Sequence, residues 1–300
     1  GAAALLRIGR NIPNPSGFKY DLTTRISLHP RIAARLAYAK SGMPQVNLAV
    51  RYGYARVALP YDRRTAFNYH SCGADLYLSR LASPDFDLRT GLRYDNYWAR
   101  TTKRYASRQA YTTLYVSWRG DLFDTAYTPT RGYAYSVEAA YNVKDKALLG
   151  SNFWALQADI SAALPLGRTT TLLPSLHVRS LLGESIPQIY VNILGGYLPS
   201  RYLPQQMSFV GLMGCEQAYP HLVLSRIGLR QRLVPDVYAT AWANYAYSRE
   251  AFTSDSLEQC IWGMGVQLSY DTTLGPISLC AHWNDLHHRL GAYFSFGFEF

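Results

Sequence analysis

Three hundred residues with 48% hydrophobic and only 17% charged side chains are too apolar for a disordered chain and poorer in charge than an ordinary soluble domain. No segment approaches the roughly 18 uninterrupted apolar residues of a membrane-spanning helix, which excludes a helical membrane protein. The net charge of +10, from 30 Lys and Arg against 20 Asp and Glu, is carried by cations scattered singly rather than in a patch, which argues against nucleic acid as a partner.

Along the chain the dominant signal is a period of two. Candidate strands fall near 3–9, 19–28, 31–41, 45–58, 65–79, 85–99, 107–119 and 131–144. The series continues near 151–165, 168–181, 217–231, 236–248, 258–271, 275–285 and 291–300. Phe86, Leu88, Leu92 and Tyr94 oppose Asp87, Arg89, Arg93 and Asp95. Tyr133, Tyr135, Val137, Ala139, Tyr141 and Val143 form one face of the next such segment, with Ser136, Glu138 and Asn142 on the other. Trp154, Leu156, Ile160 and Leu164 oppose Gln157, Asp159 and Ser161. Cys260, Trp262, Met264, Val266, Leu268 and Tyr270 oppose Gln259, Gly263, Gly265, Gln267 and Ser269.

Several of these segments run about ten to fifteen residues, against about five or six for a soluble strand. A strand tilted across a bilayer needs about nine to eleven. Some connections are short, such as Leu164–Arg168, and one is long, near 182–217. Tyr97 and Trp98, Tyr111 and Tyr115, Phe153 and Trp154, and Tyr245 and Tyr247 lie near strand ends, where interfacial aromatic girdles are expected. Together these features predict an all-β chain, a transmembrane antiparallel β-barrel occupying 1–300 as a single domain. About fifteen segments are visible, and single-chain bacterial barrels take an even number, so about 16 strands are expected. Trp154, Leu156, Ile160, Trp262, Val266, Phe296 and Phe298 are expected to face lipid.

The residues offer little for catalysis. Cys72, Cys215, Cys260 and Cys280 show no CxxC and no zinc spacing, and they do not indicate a disulfide framework. His287 and His288 are adjacent and point to opposite faces if in a strand. No metal or cofactor site is expected. The chain has no Gly-x-Ser-x-Gly elbow; Gly183–Pro187 comes nearest and lacks the second glycine. Ser175 and His177 share a strand face that points inward, away from lipid. Glu138 and Asp159, with Arg89 and Arg93, are inward polar residues, and no catalytic residue is assigned. Arg226, Arg230 and Arg232 share one strand face and read either as contacts to an inserted loop or as lining of a wet lumen.

Several motifs resemble known proteins. Leu290–Phe300 places Phe294, Phe296, Phe298 and Phe300 on one face and resembles the carboxy-terminal signal read by the assembly machinery of bacterial outer-membrane proteins. Asp124 followed by Pro129-Thr130-Arg131-Gly132 resembles the "D…PTRG" turn of the outer-membrane assembly-factor superfamily, which includes BamA-like and two-partner-secretion barrels. Gly195-Gly196-Tyr197, then Arg201, resembles the start of that superfamily's long loop, although Arg201 is followed directly by Tyr202 without the family's intervening glycine. Leu203–Leu212, with Phe209 and Gly211, and then Val223–Leu233 are similar to the barrel of patatin-like phospholipases of the PlpD type from Bacteroidota. The resemblance implies a bacterial outer-membrane location and a loop of about 182–217 folded into the lumen, with Arg201 a lumen contact. It further implies POTRA and patatin domains upstream of this chain, and a possible homodimer. The barrel would then anchor or translocate a patatin-like phospholipase without being catalytic itself; the alternative is an outer-membrane assembly or secretion pore.

Overall fold

The computed structural model describes residues 3–10, 17–27, 29–58, 66–83, 86–100, 108–125, 127–145, 150–196, 205–251, 258–273 and 275–296. The strands are β1 (Ala3–Arg10), β2 (Phe18–Ser27), β3 (Arg31–Tyr38), β4 (Gln45–Ala58), β5 (Ala66–Ser83) and β6 (Phe86–Arg100). They continue as β7 (Arg108–Asp121), β8 (Gly132–Lys144), β9 (Phe153–Pro165) and β10 (Thr170–Leu182). Three short strands follow: β11 (Asn192–Gly195), β12 (Gln206–Ser208) and β13 (Cys215–Tyr219). The last five are β14 (His221–Val234), β15 (Val237–Arg249), β16 (Glu258–Tyr270), β17 (Ile277–Asn284) and β18 (Leu290–Phe296).

Fifteen strands make one sheet in chain order, β1 to β10 and then β14 to β18, while β11, β12 and β13 form a small sheet of their own. Sixteen were expected from the even-number rule; among the described residues the sheet has fifteen, the number of segments with visible alternation. The candidate strand 217–231 divides in two. Cys215–Tyr219 pairs antiparallel with β11, and His221–Val234 pairs with β10 and β15. Pro220 stands between them, without the N–H that a continuous ladder would use.

The chain divides into two compact units, and each is described by itself. In the first, residues 1–119, 137–156 and 181–189, Leu48, Leu76, Leu92 and Leu114 are exposed on one sheet face. In the second, residues 120–136, 157–180 and 190–300, Ile160 is 52% exposed and Val266 63%, and Trp262 and Phe296 share their apolar face. Large apolar side chains therefore lie on the open face, and polar ones on the covered face, the reverse of a soluble sheet. Trp154 and Leu156 are exposed as expected; Phe298 lies outside the described residues.

Three of the aromatics assigned to a girdle sit on the covered face instead. Tyr111, Tyr115 and Phe153 are buried, because their positions have the parity of the polar set. Tyr111 packs edge-on against Phe153 with ring centroids 5.4 Å apart. Among the described residues Cys72, Cys260 and Cys280 are free thiols.

Candidate functional site

The covered face of the second unit carries the segment between β10 and β14. A single turn of 3₁₀ helix, Gln188–Tyr190, leads into β11, which is flanked by β12 in parallel and β13 antiparallel. This small sheet is buried throughout β11, and Phe209, Val210 and Leu212 just beyond β12 are fully buried. Leu194, Met207, Phe209 and Leu212 pack against Leu222 and Leu224 of β14, Ala246 of β15 and Ile261 of β16. The loop thus sets its own apolar core on an apolar patch of a face that is elsewhere polar, and removing that apolar area from water favours docking.

Polar contacts fix the position. Asn244 on β15 donates through Nδ2 to the Val210 carbonyl at 3.0 Å, and Asn284 on β17 donates to the Gly211 carbonyl at 2.5 Å. Arg226 on β14 donates through Nη2 to the Ser208 carbonyl and through Nε to Asn244 Oδ1 at 3.0 Å. Arg179 on β10 donates to the Tyr190 carbonyl at 2.8 Å and to Asn192 Oδ1 at 2.6 Å. A charged donor on a carbonyl is among the stronger hydrogen bonds in proteins.

The glycines explain how the loop comes so close. A Cβ on Gly263 of β16 would lie 2.5 Å from the Val210 carbonyl oxygen, and one on Gly265 would lie 2.6 Å from Val210 Cγ1. Gly211 has φ +129, a region that favours glycine, and a Cβ there would meet the Trp283 carbonyl at 2.9 Å. Gly195 and Gly196 end β11: the Gly195 carbonyl accepts from Phe209 N at 2.8 Å, and Gly196 N donates to the Gly214 carbonyl at 3.0 Å. Gly195, Gly196, Phe209 and Gly211 therefore meet in one place, whereas Arg201 lies outside the described residues.

The three arginines on the covered face of β14 do different things. Arg226 holds the loop. Arg230 donates to the Pro129 carbonyl at 3.2 Å, in the turn between β7 and β8, and its guanidinium lies 5.9 Å from the Tyr238 ring centre. Arg232 lines a cavity beside that turn, together with Arg131. The turn is closed by Asp124, whose carboxylate accepts from Thr130 N at 2.9 Å and Thr130 Oγ1 at 2.5 Å. The Thr130 hydroxyl bond holds the Asp124 carboxyl below the usual carboxylate range. Gly132 follows at φ +111, packed against the Leu122 carbonyl, which leaves no room for a Cβ.

The two inward carboxylates have separate partners. In the first unit Glu138 accepts from Arg93 at 3.4 Å and Arg119 at 3.3 Å. Arg93 also reaches Asp75 at 3.5 Å and lies 4.4 Å from the Tyr115 ring centre, while Tyr115 donates to Asp75 at 3.0 Å. Arg89 pairs with Asp87 at 2.5 Å. In the second unit Asp159 pairs with Nδ1 of buried His177, and Gln157 donates to it at 2.7 Å. These are interlocked ion pairs and hydrogen bonds that let charged side chains line a covered face.

Sequence reasoning did not single out Arg179, Asn192, Asn244, Asn284 or the apolar inward set of Leu222, Leu224 and Ile261. The available signal was small: two glycines in the inward set of β16, which mark a close approach of another backbone.

The model of one family, the OMP85 superfamily, matches residues 57–300. Among solved structures the chain is similar to BamA from Haemophilus ducreyi lacking POTRA domains 1–3, with a TM-score of 0.74 at 12% identity over 98% of this chain and 70% of that one. It is similar to CdiB from Escherichia coli with a TM-score of 0.63 at 13% identity, covering 97% of this chain and 58% of that one. For CdiB from Acinetobacter baumannii the TM-score is 0.60 at 12% identity, over 99% and 54% of the two chains. This chain thus spans little more than half of either CdiB. No curated protein matches the sequence.

Proposed function

This chain belongs to the OMP85 superfamily and is a β-barrel protein of the bacterial outer membrane, and from that premise we propose that it is a non-catalytic anchor and translocation unit for a polypeptide partner. The observation that carries this reading is the loop on the covered face. Asn244, Asn284 and Arg226 hold its backbone carbonyls, so the lumen side is arranged around a segment of the chain's own backbone rather than around a reacting group. A small-molecule active site would instead need a nucleophile beside a base and a site for the developing charge.

In its sharper form the partner is a patatin-like phospholipase domain, with a POTRA domain, encoded upstream of Gly1. The resemblance of Leu203–Leu212 and Val223–Leu233 to barrels of that kind supports it. Phe296, Phe298 and Phe300 would then present the signal for the assembly machinery, membrane lipid would surround the apolar face, and two copies of the barrel could pair. The second reading, an assembly or secretion pore, is favoured by the likeness in fold to BamA and CdiB.

The test is phospholipase activity of the full-length gene product with and without the serine of an upstream Gly-x-Ser-x-Gly elbow. Activity lost on Ser→Ala, together with partner domain lost from the membrane when the barrel is deleted, supports the anchor. A full-length product with no lipase activity, but with defects in other outer-membrane proteins on depletion, favours the pore. Large stable conductance in planar bilayers from the wild-type barrel would count against both.

A further inference from the structure

At the short-turn end of the second unit, four arginines, three of them exposed, line one cavity of about 380 Å³. Arg131 comes from the turn before β8, Arg168 from the turn between β9 and β10, and Arg230 and Arg232 from β14. The single carboxylate in the lining, Asp124, is already engaged by Thr130 within its own turn. Arg230 is fixed by the Pro129 carbonyl and the Tyr238 ring. Arg131, Arg168 and Arg232 make no ion pair among the described residues.

This differs from the first unit, where Arg93, Arg119 and Arg89 each face a carboxylate. Four like charges around one concavity repel each other, and an anion in the cavity relieves that repulsion. Guanidinium groups suit an oxyanion well, because their planar N–H pairs match its oxygens two at a time. The level in the membrane narrows the class further. Leu164, Leu166, Leu233 and Val234 are exposed at the same strand ends and turns, so the apolar band reaches this end and the cavity lies near the interface.

We propose that the Arg131–Arg168–Arg230–Arg232 cavity binds a phosphate group. A phosphate offers more oxygens and more negative charge than one carboxylate, which suits a cavity lined by four arginines and one engaged carboxylate. The group comes either from an anionic lipid headgroup or from a soluble phosphate ester. The inference does not depend on which partner the barrel serves.

The experiment uses the full chain folded in neutral detergent, titrated calorimetrically with inorganic phosphate and with glycerol 3-phosphate. In parallel the chain is placed in nanodiscs of phosphatidylcholine with and without phosphatidylglycerol, and retained lipid is counted by mass spectrometry. The expected result is binding of at least one probe, weakened about tenfold or more in an Arg168→Ala/Arg232→Ala variant, since even one lost charged hydrogen bond removes roughly that factor. Arg168→Gln alone, in an exposed turn, keeps the test available if the double variant does not fold. Binding of soluble phosphate identifies a soluble ester, and phosphatidylglycerol retention without it identifies the lipid. The proposal is overturned if no phosphate probe distinguishes wild type from the variants. It is equally overturned if a glutamate-rich peptide binds through these arginines and the phosphate probes do not.

Discussion

Arg226 joins the sheet to the loop through Ser208: its Nη2 donates to the Ser208 carbonyl and, at 3.1 Å, to Ser208 Oγ. Its Nε holds Asn244, which in turn holds Val210, so one guanidinium fixes two points of the loop. Arg226→Ala should loosen the docked segment by about 1.5–3 kcal/mol, the usual range for charged hydrogen bonds. Hydrogen exchange should quicken over residues 205–219 while β8 and β9 keep their protection. Arg226→Lys should recover only part of the effect, because an ammonium lacks the planar fork. Uniform quickening across the whole sheet would show that Arg226 acts on the barrel rather than on the loop.

Gly263→Val should push the loop off its seat. Valine suits a strand, but its Cβ would lie 2.5 Å from the Val210 carbonyl and 2.7 Å from the Phe209 ring. Overpacking of this kind costs about 1–3 kcal/mol. The expected outcome is a normally folded, heat-modifiable barrel with higher single-channel conductance than wild type. Unchanged conductance would mean that the loop does not narrow the pore.

Ile160 projects from the open face near the middle of β9. Ile160→Arg should lower folding stability in phospholipid vesicles by about 2–4 kcal/mol, as for basic residues on the lipid face of a barrel. Urea titration in vesicles reads the change; an unaltered midpoint would require a different register for β9.

Acid should open the turn before β8. Because the Thr130 hydroxyl bond lowers the Asp124 pKa in the folded chain, the turn gains stability above the ordinary carboxylate pKa of about 4. That gain is lost as pH falls through the lowered folded value. The Thr130 amide, which donates to Asp124, should therefore lose protection in acid, and Asp124→Asn should remove this pH dependence. An identical acid profile in the Asn variant would assign the transition to another group.

Much of this architecture is visible in the chain itself. Alternation such as Trp154, Leu156, Ile160 against Gln157, Asp159, Ser161 fixes the two faces, because a strand sends neighbouring side chains to opposite sides. Alternation does not say which aromatics belong to which face near a strand end, and Tyr111, Tyr115 and Phe153 fell on the covered one. Pairing partners across a loop are less visible still. Asn244 and Asn284 look like any inward polar residue until Val210 and Gly211 are placed beside them. The boundary at Pro220 could be read from its missing N–H, yet the small sheet that β13 joins is made by contacts distant in sequence.

The amides of Asn244 and Asn284 touch only main-chain oxygens of the segment they hold. Such a grip is indifferent to ionic strength, since neither partner carries a charge, but it is selective for shape: Val210 is fully buried against Gly265, and Gly211 at φ +129 has no room for a Cβ. The sheet therefore presents a receptacle cut for one tight turn of backbone, so the resident segment is held by its shape as much as by its carbonyls.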